Sequence, residues 1–409
     1  MCGMLDTYEQ LKEAAAEYGD SFYILDSKLF QANYDEMIES FRRYYPNTHI
    51  AYSYKTNYIP KLCRIIQESG GYAEVVSEME WALAVKLGVN PGDIYYNGPY
   101  KKREYIEKCL LTGIHIHLDS AHEIEIVSEI ADSYKNRTFE VGIRCNMDIG
   151  QEEPSRFGFD VASGELFEAV QKLNALSNLS VTGLHCHLPF RSLDSFQDRM
   201  QGLRKILSRM PGYHWSYISL GGGYMGGVSE EMAKAFSFKP PVFREYAEVV
   251  AGGISEIYKE ERQKPRLIIE PGSALAANTM KYVTRVVSIK QVRNKHIATL
   301  SGSVYNINPS TKGLRRPITV YSNQPETFYA EIDMAGYTCI ESDYLYKGYK
   351  GNLSEEDFVV FHNVGSYSLV MKPPFILPDV PCVEVDGEKL ITVKRKQQLE
   401  SVFGDFVYE

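Results

Sequence analysis

Paired cysteines, basic clusters and long apolar runs are all missing from this 409-residue sequence. Its seven cysteines are an odd number scattered singly, as at Cys63, Cys109 and Cys339, and no C-x-x-C pair occurs. Neither a disulfide framework nor a zinc knuckle is therefore indicated, and a reducing cytoplasm is the expected setting. No segment approaches the roughly 20 apolar residues of a membrane-spanning helix. The opening MCGMLDTYEQLKEAAAEYGD alternates charged and apolar residues like an amphipathic helix, without the basic start and apolar run of a secretion signal. Lys and Arg total 44 against 53 Asp and Glu, a formal net charge of −9, with no basic stripe of the kind that neutralises nucleic-acid phosphates. A small-molecule partner is favoured over nucleic acid or a membrane.

What is present is enough apolar material, 44% of residues, to bury a large core, in a length that suits one large domain plus a smaller one. From about residue 48 to 270 one rhythm repeats: a short β-branched or aromatic run ends in polar or glycine residues, and a helical pattern follows. The runs are HIAYSY, GYAEVV, DIYYNG, IHIHLD, FEVGIR, VTGLHCH, SYISLGGG and RLIIEPG. Between them IPKLCRIIQES, EMEWALAVKLG, REYIEKCLLTG and ELFEAVQKLNALS place apolar residues three and four apart. Parallel strands need helical crossovers and eight of them close a sheet, so the pattern predicts an α/β fold, a (β/α)8 TIM barrel. After Pro271 the texture turns to strands such as MKYVTRVVSIKQV, PITVYS, DFVVFH and KLITVKR, which predict a β-sandwich or β-barrel domain. The expected division is a segment at 1–27 joining the β domain, a barrel at 28–275, and the β domain at 276–409. Without a low-complexity linker, the two are expected to pack tightly. The sequence does not say whether its thirty tyrosines line a site or pack edges.

Function in such a barrel sits at the C-terminal strand ends. That rim carries Lys55; Glu74, Ser77 and Glu80; Arg144 and Asn146; His185 and His187; Gly221–Gly223; and Glu270. A lone strand-end lysine is usually a solvated charge, but Tyr52 and Tyr54 around Lys55 suggest an enclosed amine, and enclosure makes an amine a better nucleophile. Three consecutive glycines leave backbone N–H groups open to a phosphate, although a tight turn explains them equally well. Gly221, Gly223 and Gly226 also match G-x-G-x-x-G, but on the seventh unit, where a dinucleotide site is not expected. The pairs His115/His117 and His185/His187 raise a metal-dependent hydrolase. Each pair is equally readable as one core and one rim histidine, and in such hydrolases the H-x-H ends the first strand, where this chain has its lysine.

These residues resemble the alanine-racemase-like barrel family (fold type III) that uses pyridoxal 5'-phosphate (PLP), shared by diaminopimelate, ornithine and arginine decarboxylases. The similarity runs from SFYILD (21–26) through Y-S-Y-K-T-N (52–57), E-V-V-S-E-M-E (74–80), R-C-N (144–146), S-R-F-G (155–158), the glycine run and E-P-G (270–272) to L-R-R-P (314–317), Cys339 with Asp343, and G-S-Y (365–367). It implies PLP-dependent decarboxylation of an amino acid, with PLP held as a Schiff base on Lys55. It further implies His187 stacked on the pyridine ring, Glu270 paired with the ring nitrogen, and Gly221, Gly222, Gly223, Gly272, Ser273 and Tyr367 around the phosphate. Glu74 stands for the family's aspartate, and Arg144 has a counterpart. Arg316 is placed beside the substrate with Asp343, which is otherwise a loop cap. Cys339 is the candidate acid that returns a proton to Cα, entering the partner's site in a head-to-tail homodimer.

Three departures touch phosphate or substrate. His-x-Gly-Ser has become H-L-P-F-R-S (187–192), the arginine after E-P-G has become Ser273, and Ile340 replaces the acid that follows the cysteine. Arg191 or Ser192 is expected to recover the phosphate contact. With Ile340 apolar, lysine and ornithine are expected to bind poorly, while Arg316 offers a fork for a distal carboxylate. Glu341 is a replacement acid only if it turns against the alternation of an extended segment. An altered substrate is the reading these departures favour. An amino-acid racemase and a PLP-binding regulator without activity are the alternatives, with the metal hydrolase third.

Overall fold

The computed structural model describes residues 5–307, 315–323, 327–387 and 389–408. Cys2 and the rest of residues 1–4, and Leu314 of the L-R-R-P motif, lie outside the described residues. By internal packing the chain divides into two units: Gln31–Gly226 with Phe238–Ala274, and Met1–Phe30 with Gly227–Ser237 and Leu275–Glu409.

The first unit is a closed barrel of eight parallel strands. They are β1 (Thr48–Ser53), β2 (Tyr72–Val75), β3 (Ile94–Tyr96), β4 (His115–Leu118), β5 (Phe139–Asn146), β6 (Leu179–His187), β7 (Tyr217–Gly221) and β8 (Arg266–Glu270). Each pairs with its successor, and β8 closes on β1 with Leu267 opposite Thr48 and Ile269 opposite Ile50. All eight apolar runs of the sequence are these strands. The four helical patterns are helices at Pro60–Glu68, Glu78–Lys86, Arg103–Thr112 and Glu165–Asn174. Their limits follow local chemistry: Pro60 opens the first where its missing N–H costs nothing, and Gly113, at φ +80°, ends the third.

The barrel interior answers part of the tyrosine question. Ala51, Tyr95, Tyr217 and Ile268 form one buried cluster, with the rings of Tyr95 and Tyr217 edge-on at 5.4 Å. Gly142 and Gly183 make this possible, since a Cβ on either would overlap the Tyr217 side chain. These tyrosines are packing, one layer below the functional rim.

The second unit is a mixed nine-stranded sheet. Its centre is the long strand Met280–Val292, antiparallel to Phe22–Leu25, Lys295–Leu300 and Phe358–Phe361. Phe22–Leu25 also pairs parallel with Cys382–Asp386. The N-terminal helix Tyr8–Tyr18 buries Leu11 and Ala14, three residues apart, against Phe22, Val283, Phe358 and Val383. Thr7 caps its start and Gly19, at φ +92°, its end.

Candidate active site

Above the aromatic layer the barrel turns polar. Glu270, last residue of β8, accepts from Ser219 Oγ at 2.7 Å, Asn97 Nδ2 at 3.1 Å and His185 Nε2 at 3.2 Å. Asn97 Nδ2 also donates to Glu74 Oε1 at 3.0 Å, so one amide bridges two buried carboxylates. Because that nitrogen is committed to donation, Asn97 Oδ1 must accept, and His117 Nδ1, which contacts it, must carry the proton. The rings of His117 and His185 stack at 4.5 Å with planes 7° apart. Burial holds His117, His185 and His187 well below the usual 6.5, so all three are neutral.

Lys55 lies on a 3-10 turn, Tyr54–Thr56, directly after β1. Its amine contacts Glu74. Tyr52 and Tyr54 are buried, yet the Lys55 side chain is 27% exposed, so the enclosure expected from its neighbours is partial and a carboxylate shares it. The turn is stapled to the loop after β8: Ser53 N donates to Pro271 O at 3.1 Å, and a Cβ on Gly272 would overlap Thr56 Oγ1. That hydroxyl is buried without a hydrogen-bond partner.

At the rim His187 ends β6 and Gly221 ends β7. A Cβ on Gly221 would overlap Glu270 Oε2 and crowd the His187 ring at 2.7 Å, so glycine is what lets acid and imidazole converge. Gly222 and Gly223 take φ of +81° and +82°, and a Cβ on them would strike the carbonyls of Leu188 and Phe190. Buried Arg144 donates to Asp119 Oδ1 and to the His187 carbonyl, both at 3.1 Å, which braces the end of β6. Ser192 caps the helix Leu193–Ser208, accepting from Ser195 N, and Arg191 is exposed. Ser77 and Glu80 form a capping pair, the hydroxyl accepting from Glu80 N and the carboxylate from Val76 N, so their place at the rim is explained by helix capping.

Rim reading alone missed Asn97 and Asp119, although both directly follow strands three and four, where the same rule applied. It also missed Arg199, for which the sequence carries no signal. Arg199 sits mid-helix, fully buried, and donates to the carbonyls of Gly221 (3.0 Å), Gly222 (2.8 Å), Leu188 (3.1 Å) and Phe190 (2.6 Å).

The remaining expected residues lie in the second unit. Cys339 is exposed, on a loop held by Asp343. Asp343 Oδ1 accepts from Ser303 Oγ (3.0 Å) and Val304 N (2.8 Å), and Oδ2 from Thr338 Oγ1 (2.6 Å) and Thr338 N (3.2 Å). This geometry fits the loop-cap alternative, since both oxygens accept from neighbouring loop residues. Glu341 is exposed and Ile340 half-buried. Arg316 is buried, donates from Nη1 to the Asn363 carbonyl, and keeps Nε without a hydrogen-bond partner. Tyr367 is half-buried at φ +55°, a conformation rare for an aromatic residue, beside Gly365, whose Cβ would overlap the Ala276 carbonyl.

A strand-end lysine against a buried carboxylate, a second buried acid across the barrel under an imidazole, and a glycine cradle that no Cβ would enter define a barrel that binds PLP. The family model for the pyridoxal-dependent decarboxylases, covering their pyridoxal-binding domain, matches residues 31–277, and the chain belongs to that family. It is a PLP-dependent amino-acid decarboxylase. The diaminopimelate decarboxylase of Aquifex aeolicus is 24% identical over 413 residues, covering 96% of this chain and 93% of the relative. The crystal structure of diaminopimelate decarboxylase from M. jannaschii superposes with a TM-score of 0.86 at 21% identity, covering 97% of this chain and 94% of that one. That of lysine decarboxylase from Selenomonas ruminantium gives 0.75 at 17% identity, over 94% and 97%. The racemase, regulator and metal readings give way to the decarboxylase. The metal reading did have a trace in the structure, since His117, His185 and Glu270 hold donor atoms within 4.8 Å of one another. The carboxylate, however, is already hydrogen-bonded to three donors.

Proposed function

We propose that this decarboxylase acts on an amino acid, or an amino-acid-derived intermediate, whose far end is a carboxylate or a larger neutral or acidic group. The observation that carries this reading is Arg316: a buried guanidinium, pushed down to about 10 by desolvation, whose hydrogen bond goes to the Asn363 carbonyl, with no carboxylate paired to it among the described residues. A buried cation without a counter-ion is costly, and its unpartnered Nε favours an arriving carboxylate. Ile340 offers a distal ammonium nothing, and Glu341, exposed on the same loop as Cys339, is a replacement acid only if it turns to the substrate.

Bound PLP supplies the electron sink for the bond to carbon dioxide. Of the chain's own residues, Lys55 would attach the cofactor, Glu270 would pair with its ring nitrogen, His187, braced by Arg144 through its carbonyl, would stack on its ring, and Gly221–Gly223, Gly272 and Ser273 would hold its phosphate, with Tyr367 the further phosphate contact that the resemblance implies. Glu74 holds the Lys55 amine. Cys339 would hold the proton returned to Cα, in a homodimer in which each protomer would lend this loop to its partner. Asp343 serves by keeping the loop in shape.

Carbon dioxide release across a panel of amino acids tests the substrate class. Acid-tailed substrates turn over, lysine and ornithine barely do, and Arg316→Ala raises the KM of the best substrate on the order of tenfold or more, the loss of a charge-assisted fork. Efficient decarboxylation of lysine or ornithine, undiminished in Arg316→Ala, refutes the assignment. For the shared site, Cys339→Ala keeps the cofactor spectrum but slows turnover. Mixing inactive Lys55→Ala with Cys339→Ala protomers restores part of the activity, because one of the two sites in a mixed dimer is intact. A confirmed mixed dimer with no recovery rules the shared site out.

A further inference from the structure

Arg199 presents an oddity that catalysis by the rim residues does not absorb. It is a buried cation with no carboxylate partner among the described residues, and all four of its acceptors are backbone carbonyls. In a trans peptide the C=O and the following N–H point in opposite directions, and no peptide here is cis. Drawing the carbonyls of Gly221, Gly222 and Phe190 onto one guanidinium therefore turns the N–H groups of Gly222, Gly223 and Arg191 away from it. Leu188 is followed by Pro189, which has no N–H to turn. The two segments clamped together are the glycine run and the H-L-P-F-R-S turn that replaces the family's Gly-Ser. Both must be close, which is why a Cβ on Gly222 or Gly223 would strike Leu188 and Phe190.

We propose that Arg199 is the positioning residue of the phosphate site: it shapes a three-N–H cradle from Gly222, Gly223 and Arg191, and supplies from behind it the positive charge that Ser273 lacks. This rests on the PLP reading of the barrel. A phosphate dianion is the counter-charge the buried guanidinium is missing, and backbone N–H groups in such a concavity are suited to it. It also revises the expectation for Arg191, whose contribution becomes its backbone N–H while its side chain stays in solvent.

The test compares PLP with pyridoxal, which lacks the phosphate, by titrating the absorbance each gains on attachment to Lys55. Arg199→Met and Arg199→Gln lower the ratio of the two dissociation constants, pyridoxal over PLP, by tenfold or more, while pyridoxal binding moves less than threefold. Arg199→Lys, with charge but three donors, lowers it at least threefold. If a folded neutral variant weakens both ligands together and keeps the ratio, the role is merely structural and the proposal fails. Should neither neutral variant fold, an unchanged ratio in Arg199→Lys overturns it. A wild-type protein that attaches neither ligand overturns the cofactor reading instead, and this proposal with it.

Discussion

Lys55→Ala is expected to abolish the yellow absorbance that PLP gains on lysine attachment and to lower decarboxylation on the order of a thousandfold or more, since the covalent step has no other amine to use. The structure explains why no neighbour substitutes. Lys101 is the buried lysine of the barrel among the described residues, and its Nζ is held by the Gly98 carbonyl at 2.6 Å and both oxygens of Glu123 at 2.9 Å. Removing it from that pocket would strand a buried carboxylate. Lys55 is the one placed for exchange: its turn follows β1 directly and is pinned to Pro271, and its amine contacts Glu74 with 27% of the side chain exposed. An unchanged cofactor spectrum in the purified variant would sink the assignment, whatever the residual activity.

Acid should unfold the barrel more steeply than carboxylate chemistry alone explains. Burial holds His117, His185 and His187 well below 6.5, and His49 and His115 at about 4. In the folded state these five are neutral, whereas unfolded they take up protons as pH drops through 6.5. The stability they contribute is thus present above 6.5 and lost as pH falls below it. Glu80, pushed up to about 7 by burial, works the other way: it holds its proton only in the folded state between about 4.5 and 7, and offsets one histidine. A net uptake of about four protons gives a slope of up to about 5 kcal/mol per pH unit between roughly pH 6 and 5. Urea midpoints measured from pH 7.5 to 5 check this, and His117→Asn should flatten the curve by about one proton. A midpoint constant down to pH 5 would contradict the buried neutral histidines.

Much of the site was legible because barrel function is confined to one rim, and eight strand ends are few enough to inspect. Lys55, Glu74, His187, Gly221 and Glu270 were found in this way, and the structure brings all five together. Asn97 and Asp119 were passed over, since a short polar residue after a strand reads as a turn. That the first H-x-H pair supplies a buried half of the polar layer, with His117 stacked on His185, was likewise invisible: each pair was open to a core-and-rim reading, and only the register of β4 beside β5 and β6 says which ring meets which.

The sequence by itself determined the alternation of strands and helices, the closure at eight, the strand-rich texture after Pro271 and the lysine on the first strand. All of these are local: they follow from side-chain periodicity and from glycine and proline at element ends. Tertiary structure decided what each polar group faces. It turned Asp343 onto neighbouring loop residues, made one Asn97 amide the bridge between Glu74 and Glu270, and set Arg199 beneath the glycine run from a helix begun six residues earlier. It also grouped Gly227–Ser237 with the second unit, although barrel segments precede and follow it in the chain. Hydrogen-bond partners and buried charges depend on residues far apart in the chain, and periodicity carries no record of them.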